Sequence, residues 1–283
     1  MKIPDNKLSS VKSFFLEELK EFEEANIFFS ICCDAWLGMS RTDLFLGQDK
    51  MLSESEILKF LFGIKALKNN EPVQYVVGET WFYDLKINVE TGVLIPRPET
   101  EELVHWIIQS EKKSLSILDI GTGSGCIPLS LKNNLSSASL SACDISEEAI
   151  TIAKANAERL KLEVKFFSMD ILNESLWIDE KFDVIVSNPP YIPIVEKNIM
   201  HENVLAYEPD VALFVPNDTP LLFYDKIAIF SLRNLNKGGR LYFEIHEDFG
   251  AETLAMLKNK GFVDLEIKQD MQEKDRMIKA VLR

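Results

Sequence analysis

The tetrapeptide Asn188-Pro189-Pro190-Tyr191 follows directly on the apolar run Phe182–Ser187, which has the pattern of a buried strand. Both prolines lack a backbone N–H and have a fixed φ, so the Pro189 carbonyl and the Asn188 side-chain oxygen can accept hydrogen bonds from one NH₂ group. Two such acceptors could aim an amide or aromatic amine nitrogen at an electrophile, with Tyr191 packed against the planar group. The alternative is a loop that merely ends a strand.

The segment Gly121-Thr122-Gly123-Ser124-Gly125 lies between a strand pattern and a helical pattern. Open α/β sheets bind ligands at this position, beyond the carboxyl ends of their strands, and glycines let a ligand approach the backbone closely. Asp144 ends the next strand pattern, where it could accept hydrogen bonds from a ribose diol, and Asp170 ends the one after, where it could face an adenine amino group. The pattern favours a nucleoside cofactor over a ligand-free turn.

A glycine-rich loop with an acidic partner also occurs in nicotinamide dehydrogenases, so the loop alone leaves two cofactor classes open. The dinucleotide pattern has its third small residue three positions after the second glycine, whereas here Gly125 follows Gly123 by two and Cys126 takes that place. The carboxylate of Asp119, directly before the loop, suits a cationic amino group and would repel a pyrophosphate. Both departures favour S-adenosylmethionine.

If these acceptors hold an NH₂ group beside S-adenosylmethionine, the predicted reaction is an in-line displacement at the sulfonium methyl carbon. Positioning and electrostatics would drive it. No dedicated general base is needed, because the nitrogen becomes strongly acidic once it is methylated. The three histidines, His105, His201 and His246, are isolated in the sequence and are assigned no role.

The tetrapeptide in this position resembles the amino-methyltransferases that act on adenine, guanine or glutamine nitrogens. The segment Pro72-Val73-Gln74-Tyr75, with Gly78 and Phe82, and the run from Leu94 to Glu101 resemble the protein-(glutamine-N5) methyltransferases of peptide chain release factors. The similarity spans nearly the whole chain. It implies that S-adenosylmethionine is the cofactor and that the acceptor is the glutamine in the Gly-Gly-Gln motif of class 1 release factors.

The resemblance also implies roles for particular residues. Asn188, Pro189, Pro190 and Tyr191 are expected to hold the glutamine, and Arg97 and Glu99 to shape the substrate pocket, where an exposed salt-bridged turn is the alternative. The expected cofactor contacts are Asp119, Gly121, Thr122, Gly123, Ser124, Gly125, Asp144, Asp170, Ile171 and Asn188.

Two features beside these residues bear on the resemblance. Ile171 stands where the family often has an aromatic residue that contacts adenine, so the chain departs from the family pattern at this position. Glu208-Pro209, followed by Ala212-Leu213, resembles a further family motif beside the active site.

The elements that must position these residues follow from the hydrophobic patterns. Residues 1–70 carry apolar residues at three- and four-residue steps, with Ser53 and Glu56 as a capping box, and predict a helical bundle. With a release factor as substrate, this bundle is expected to dock it. Residues 71–98 contain several prolines and glycines around the apolar runs Val73–Val77 and Trp81–Val89, and predict a β-hairpin linker.

Strand and helix patterns alternate over residues 99–283, which is typical of a parallel sheet wrapped by helices. They include a helix from Pro220 to Leu235 with Thr219 as its N-cap, and the closing runs Val263–Lys268 and Met277–Leu282 as an antiparallel pair. The predicted fold is α/β, a seven-stranded Rossmann-like class I methyltransferase domain with a small N-terminal helical domain and the hairpin linker.

The charge and composition limit the partners. The chain has 45 acidic and 31 basic residues, a net charge of −14, which argues against a stable nucleic-acid complex. No apolar segment is long enough for a membrane span or a cleavable leader, so a cytoplasmic, soluble protein is expected. A monomer is expected as a separate prediction. The four cysteines have no metal-ligand spacing and are expected to be reduced core thiols.

Two other functions remain open at this point. A nucleic-acid amino-methyltransferase, acting on adenine N6 or guanine N2, would use the same Asn-Pro-Pro chemistry on a flipped-out base. The acidic charge and the lack of a basic recognition domain weigh against it. A catalytically silent cofactor-binding scaffold is disfavoured by the intact tetrapeptide.

Overall fold

The structure is a computed structural model that describes residue 3, residues 5–111 and residues 114–283. These residues form two compact units, one extending to Glu79 and including His201–Tyr207, the other consisting of Thr80–Met200 and Glu208–Arg283. The domain boundaries expected near residues 70 and 98 remain predictions. Among the described residues, every helix is too short or too polar to cross a membrane.

The α-helices of the described residues are numbered in chain order. They are α1 (Leu8–Glu18), α2 (Ala25–Leu37), α3 (Arg41–Leu46), α4 (Glu54–Lys68), α5 (Val73–Val77), α6 (Pro98–Ser110), α7 (Cys126–Asn134), α8 (Glu147–Leu160), α9 (Glu202–Tyr207), α10 (Asp210–Leu213), α11 (Leu222–Asn234) and α12 (Gly250–Asn259).

The β-strands are numbered in the same way. They are β1 (Glu79–Phe82), β2 (Leu85–Asn88), β3 (Ser116–Ile120), β4 (Ser139–Asp144), β5 (Lys165–Ser168), β6 (Phe182–Ser187), β7 (Ile192–Pro193), β8 (Phe214–Val215), β9 (Leu235–Glu244), β10 (Phe262–Gln269) and β11 (Asp275–Leu282).

The first unit is helical, as its apolar periodicity predicts. The Phe15 ring packs edge-on against the rings of Phe29 and Phe60, at centroid distances of 5.3 and 6.2 Å. These rings belong to a buried core that α1, α2, α4 and α5 share. The predicted capping box of Ser53 and Glu56 is present at the start of α4.

The prediction that the whole linker is a β-hairpin was wrong for its first apolar run. Val73–Val77 is helix α5, which starts after Pro72 and ends at Gly78 in the left-handed conformation, with φ +80°. Valine favours strands, but Val73, Val76 and Val77 recur at helical spacing and pack into the core of the helical unit. That burial outweighs the propensity, and the hairpin consists of β1 and β2 alone.

The second unit contains the predicted seven-stranded sheet. Its strand order is β10-β11-β9-β6-β3-β4-β5. The five strands from β9 to β5 are parallel, and β11 pairs antiparallel with both β9 and β10. The predicted closing antiparallel pair is therefore confirmed and lies at one edge of the sheet.

The central strands end level with one another. Ile120 of β3 pairs with Cys143 of β4 on one side and with Ser187 of β6 on the other. From β3 the chain first builds the sheet toward β5 and then continues on the opposite side of β3 with β6. This reversal is the topological switch point at which open α/β sheets bind ligands.

The predicted start of the helix near Pro220 was wrong. Helix α11 begins at Leu222, and Leu221 rather than Thr219 occupies the N-cap position. The Thr219 N–H donates to the Pro216 carbonyl, and the Leu222 N–H donates to the Thr219 carbonyl, so a turn precedes the helix. The hydrogen bonds of that turn use the Thr219 backbone before the helix starts.

Asn156 on α8 ties the hairpin to the glycine loop. Its Oδ1 accepts from the Asn88 N–H at 2.8 Å, and its Nδ2 donates to the Asn88 and Ser124 carbonyls, both at 3.0 Å. The side chain is fully buried. One amide therefore satisfies three backbone groups, two at the end of β2 and one in the glycine loop.

We expect Asn156→Ala to lower the free energy of unfolding by about 2 to 4 kcal/mol, because it leaves those backbone groups without partners. Urea denaturation measures this change. The matched control is Asn236→Ala, which removes an exposed hydrogen bond to Asp183 and should have a smaller effect. Equal effects of the two substitutions would contradict the role given to Asn156.

Candidate active site

An open cavity lies at the carboxyl ends of the central strands. Its empty space, including the open solvent at its mouth, is about 930 Å³. All of its lining belongs to the second unit. The lining residues are Gly92, Val93, Leu94, Ile120, Gly121, Gly123, Asp144, Ile145, Ser146, Ala149, Met169, Asp170, Ile171, Leu172, Ser187, Asn188, Pro189, Pro190, Pro209, Val211, Ala212, Phe223 and Ile227.

The glycine loop exposes backbone to this cavity. Gly121 and Gly123 have φ of +77° and +53°, and a Cβ on either would meet no heavy atom within 4 Å. The space in front of them is therefore open, and only glycine adopts this backbone without strain. Gly125 has a different role, because a Cβ there would lie 3.0 Å from the Ala153 Cβ on α8.

Thr122 and Ser124, which were expected to contact the cofactor, are buried and do not line the cavity. Within the described part of the chain, neither hydroxyl has a hydrogen-bond partner. Their cofactor contacts remain predictions.

Asp144, at the end of β4, does line the cavity. Its Oδ2 accepts from the Gly123 N–H and its Oδ1 from the Ser146 N–H, both at 2.9 Å. Burial raises the pKa of Asp144, although these backbone hydrogen bonds oppose the shift. Each oxygen keeps a lone pair for a second donor, as a contact to a ribose diol would require.

Asp170 and Ile171 also line the cavity, beyond the end of β5. Asp170 Oδ1 accepts from the Leu172 N–H at 2.8 Å, and the Trp177 indole N–H donates to the Ile171 carbonyl at 3.0 Å. These bonds fix the backbone of the segment. Ile171 supplies an apolar side chain at this wall.

Asp119 occupies β3 directly before Ile120 and has no exposed surface. It is not part of the cavity lining, and neither carboxylate oxygen has a hydrogen-bond partner among the described residues. Burial raises the pKa of Asp119 to about 7; the Thr122 hydroxyl opposes this shift and the Asp144 charge adds to it. An unpaired buried carboxylate beside an anion is unfavourable unless a cation approaches.

These features fit a cationic nucleoside cofactor such as S-adenosylmethionine. The open backbone at Gly121 and Gly123 admits a ligand, and Asp144 presents acceptor oxygens. The orphaned carboxylate of Asp119 is buried and outside the lining, so it would act on a ligand through its charge, which favours a cation and opposes the pyrophosphate of a dinucleotide.

The tetrapeptide lies at the same cavity. Asn188, Pro189 and Pro190 line it directly after β6, where the Ser187 hydroxyl donates to the Ile120 carbonyl at 2.6 Å. That hydrogen bond joins the ends of β6 and β3. The predicted cofactor loop and the predicted acceptor residues therefore face one space.

Tyr191 is not among the lining residues. Its hydroxyl donates to Glu244 Oε1 at 3.1 Å, and its ring lies edge-on to His246 at a centroid distance of 6.0 Å. Burial raises the pKa of Tyr191, and the Glu244 charge adds to that shift. Its expected packing against the substrate remains a prediction.

Arg97 and Glu99 do not line the cavity either. Arg97 Nη2 donates to Glu208 Oε1 at 2.6 Å, and the Ile95 N–H donates to Glu208 Oε2 at 3.2 Å. The Glu208 side chain is 1% exposed, so it anchors the segment before α6 from inside the protein. Pro209, the next residue, is in the lining, and the ion pair thus holds one wall of the cavity.

Thr100 and Glu244 were not identified as site residues from the sequence. Asn188 Nδ2 donates to the Thr100 hydroxyl at 3.1 Å, and that hydroxyl donates to Glu244 Oε2 at 2.6 Å. Burial raises the pKa of Glu244 to about 7, with opposing contributions from Thr100, Tyr191 and Arg276. Glu244 ends β9 as Asp144 ends β4. Because ligand sites lie at the carboxyl ends of parallel strands, Glu244 could have been identified from the sequence as a candidate.

We expect Asp119→Asn to stabilise the ligand-free protein more at high pH than at low pH. The folded chain holds the Asp119 proton more tightly than the unfolded chain, so wild-type stability falls as the pH rises from about 4 to about 7. Asparagine removes this dependence. Urea denaturation should show a gain at pH 8 that exceeds the gain at pH 5 by about 2 kcal/mol.

The control is Asp183→Asn, which should show the opposite pH dependence. Burial tends to raise the pKa of Asp183, but hydrogen bonds from Ser116 and Asn236 outweigh burial and lower it. Its ionised form therefore stabilises the fold at high pH. A gain for Asp119→Asn that does not change with pH would contradict the buried-charge interpretation.

The chain was compared with known proteins. The family described as Methyltransferase small domain matches residues 100–206, and the PrmC N-terminal domain matches residues 13–78. A methyltransferase structure from Pyrococcus furiosus has a TM-score of 0.54 at 16% identity, and the match covers 81% of this chain and 98% of that one. This likeness supports the fold alone.

Two relatives have higher identity. A release factor glutamine methyltransferase of Flavobacterium psychrophilum is 43% identical over 284 residues, which cover 98% of this chain and 99% of the relative. Another, from Bacteroides thetaiotaomicron, is 43% identical over 250 residues, which cover 88% of this chain and 90% of the relative. The family expected from the tetrapeptide and the Leu94–Glu101 run is confirmed: the chain belongs to the release factor glutamine methyltransferases.

Proposed function

We propose that this chain transfers a methyl group from S-adenosylmethionine to the side-chain amide nitrogen of the glutamine in the Gly-Gly-Gln motif of class 1 peptide chain release factors. The observation that supports this most directly is that Asn188, Pro189 and Pro190 line the same cavity as Gly121 and Gly123. The residues that would bind the methyl-accepting NH₂ group thus line the same cavity as the residues that would bind a nucleoside cofactor.

The cofactor side of the cavity is formed by strand ends. Gly121 and Gly123 admit the ligand to the backbone, and Asp144 accepts hydrogen bonds from its ribose. Asp170 and Ile171 contact the base, and the buried charge of Asp119 favours the cationic ligand over a dinucleotide. When bound, S-adenosylmethionine supplies an electrophilic methyl carbon on a sulfonium sulfur.

The acceptor side orients the glutamine amide. The Asn188 side-chain oxygen and the Pro189 carbonyl accept the two amide protons, which aims the nitrogen lone pair at the methyl carbon. A nitrogen–carbon bond forms as the sulfur–carbon bond breaks, and one amide proton is then lost to solvent. The titratable side chains in the lining are Asp144 and Asp170, both on the cofactor side, which agrees with a reaction without a dedicated general base.

The remaining parts of the proposal concern the binding of the protein substrate. The helical unit predicted over residues 1–70 docks the release factor, and the net charge of −14 favours the approach of a basic partner. Arg97 and Glu99 shape the substrate pocket indirectly, Arg97 through its ion pair with Glu208. The chain acts as a monomer in the cytoplasm and forms no stable nucleic-acid complex.

The test of the proposed function uses methyl-labelled S-adenosylmethionine and the purified chain. Release factor, duplex DNA and RNA are supplied in separate reactions. We expect label on the release factor only, and tandem mass spectrometry should place it on the glutamine of the Gly-Gly-Gln motif. Label on nucleic acid and none on the release factor would contradict the proposal.

Two substitutions should separate acceptor from cofactor binding. Asn188→Ala removes an acceptor for the amide protons, and we expect kcat to fall by about 100-fold or more while much of the cofactor affinity remains. Asp144→Ala removes the ribose acceptor, and we expect the dissociation constant of S-adenosylmethionine to rise by about 10-fold or more. Calorimetry and steady-state rates measure both quantities.

Asn236→Ala, an exposed substitution outside the cavity lining, is the control and should change neither quantity. Unchanged turnover in Asn188→Ala would remove Asn188 from the acceptor site. Unchanged cofactor affinity in Asp144→Ala would count against the ribose contact.

A further inference from the structure

We propose that Thr100 and Glu244 are positioning residues that fix which way the Asn188 side-chain amide faces, so that its oxygen points to the substrate nitrogen. This inference rests on the function proposed above, because it explains how one acceptor of that reaction is oriented. Thr100 is on α6, Glu244 ends β9 and Asn188 follows β6, so three separate elements meet at this point.

The hydrogen bonds have a defined direction. When Glu244 is ionised, its carboxylate only accepts, so the single Thr100 proton then goes to Glu244 Oε2, which lies 2.6 Å away. The Thr100 oxygen can then only accept from a third group. That group is Asn188 Nδ2, at 3.1 Å.

The two hydrogen bonds that run from Asn188 through Thr100 to Glu244 form a relay. The direction of this relay decides the orientation of the Asn188 side-chain amide. With its NH₂ group facing Thr100, Asn188 has its oxygen on the opposite side and available as an acceptor. The flipped amide would place two acceptors, the Asn188 and Thr100 oxygens, against each other without a proton between them. It would also present an NH₂ group to the substrate NH₂ group, where neither could accept.

Glu244 holds the tetrapeptide at two points. Its Oε2 acts on Asn188 through Thr100, and its Oε1 accepts directly from the Tyr191 hydroxyl at 3.1 Å. Thr100 is 2% exposed and Glu244 1% exposed, so water cannot readily replace either partner. One buried carboxylate thus positions both polar ends of the tetrapeptide.

Thr100 and Glu244 are absent from the lining of the cavity that takes the cofactor. Their substitution should therefore change the rate of methyl transfer without changing cofactor affinity. A residue that merely supported the fold would not produce this separation.

The first experiment compares Thr100→Val with Thr100→Ser. Valine has nearly the same shape but no hydroxyl, and we expect kcat for release factor methylation to fall by about 10- to 100-fold. The dissociation constant of S-adenosylmethionine should stay unchanged. Serine retains the hydroxyl and should restore most of the rate. A wild-type kcat in Thr100→Val, or a loss that serine does not restore, overturns the proposal.

The second experiment compares two buried carboxylates, Glu244 at the end of β9 and Glu111, which follows α6 and contacts β9. Glu244→Gln should lower kcat, because the glutamine NH₂ can donate to Thr100 and the relay loses its fixed direction. Glu111→Gln is the control: the Glu111 side chain is also buried, but it accepts from Arg240 and the Tyr242 hydroxyl outside the cavity lining. We expect it to leave kcat unchanged, and equal losses in both variants contradict the relay.

A third measurement needs no substrate. In protein with ¹⁵N-labelled asparagine side chains, the Asn188 NH₂ resonance is identified by its loss in Asn188→Ala. Its hydrogen exchange should be slow in the wild type and in Thr100→Ser, and faster in Thr100→Val. Exchange that is equal in all three overturns the relay even if the release factor is not the substrate. Conversely, a wild type that fails to methylate the release factor contradicts only the proposed function.

Discussion

The level ends of three parallel strands are the constraint on which the site depends. Ile120 pairs with Cys143 and with Ser187, so β3, β4 and β6 finish at the same height. The residues that follow, Gly121 and Asn188, are thereby brought to one cavity although 67 positions separate Ile120 from Ser187. A shift of one residue in either pairing would turn the side chains to the other face and move these loops apart.

The same arrangement concentrates negative charge inside the protein. Asp119, Asp144 and Glu244 all lie at or near strand ends, and burial raises the pKa of each of them. The backbone N–H groups around Asp144 and the hydroxyls around Glu244 offset part of the unfavourable burial. Neither oxygen of Asp119 has a hydrogen-bond partner among the described residues, and the Thr122 hydroxyl offsets only part of its burial. Its unfavourable burial is understandable if a cation completes the site, since functional sites often retain a local instability of this kind.

Much of this architecture could be predicted because the local patterns agree with the tertiary structure. The glycine loop and the tetrapeptide each follow a strand directly, Asp144 ends one, and parallel topology brings strand ends together. Predictions failed where long-range packing decides: Val73–Val77 has strand propensity but forms a helix that completes the helical core. The link from Glu244 through Thr100 could not be predicted as a contact, because it joins residues 144 positions apart.

The central claim is that the tetrapeptide holds the acceptor nitrogen of a glutamine. A crystal structure with S-adenosylhomocysteine and a glutamine-containing peptide from the release factor tests it most directly. We predict that the glutamine side-chain nitrogen lies about 3 Å from both the Asn188 Oδ1 and the Pro189 carbonyl oxygen. A glutamine nitrogen bound away from these two atoms, or one facing Asn188 Nδ2 instead of Oδ1, would contradict the account.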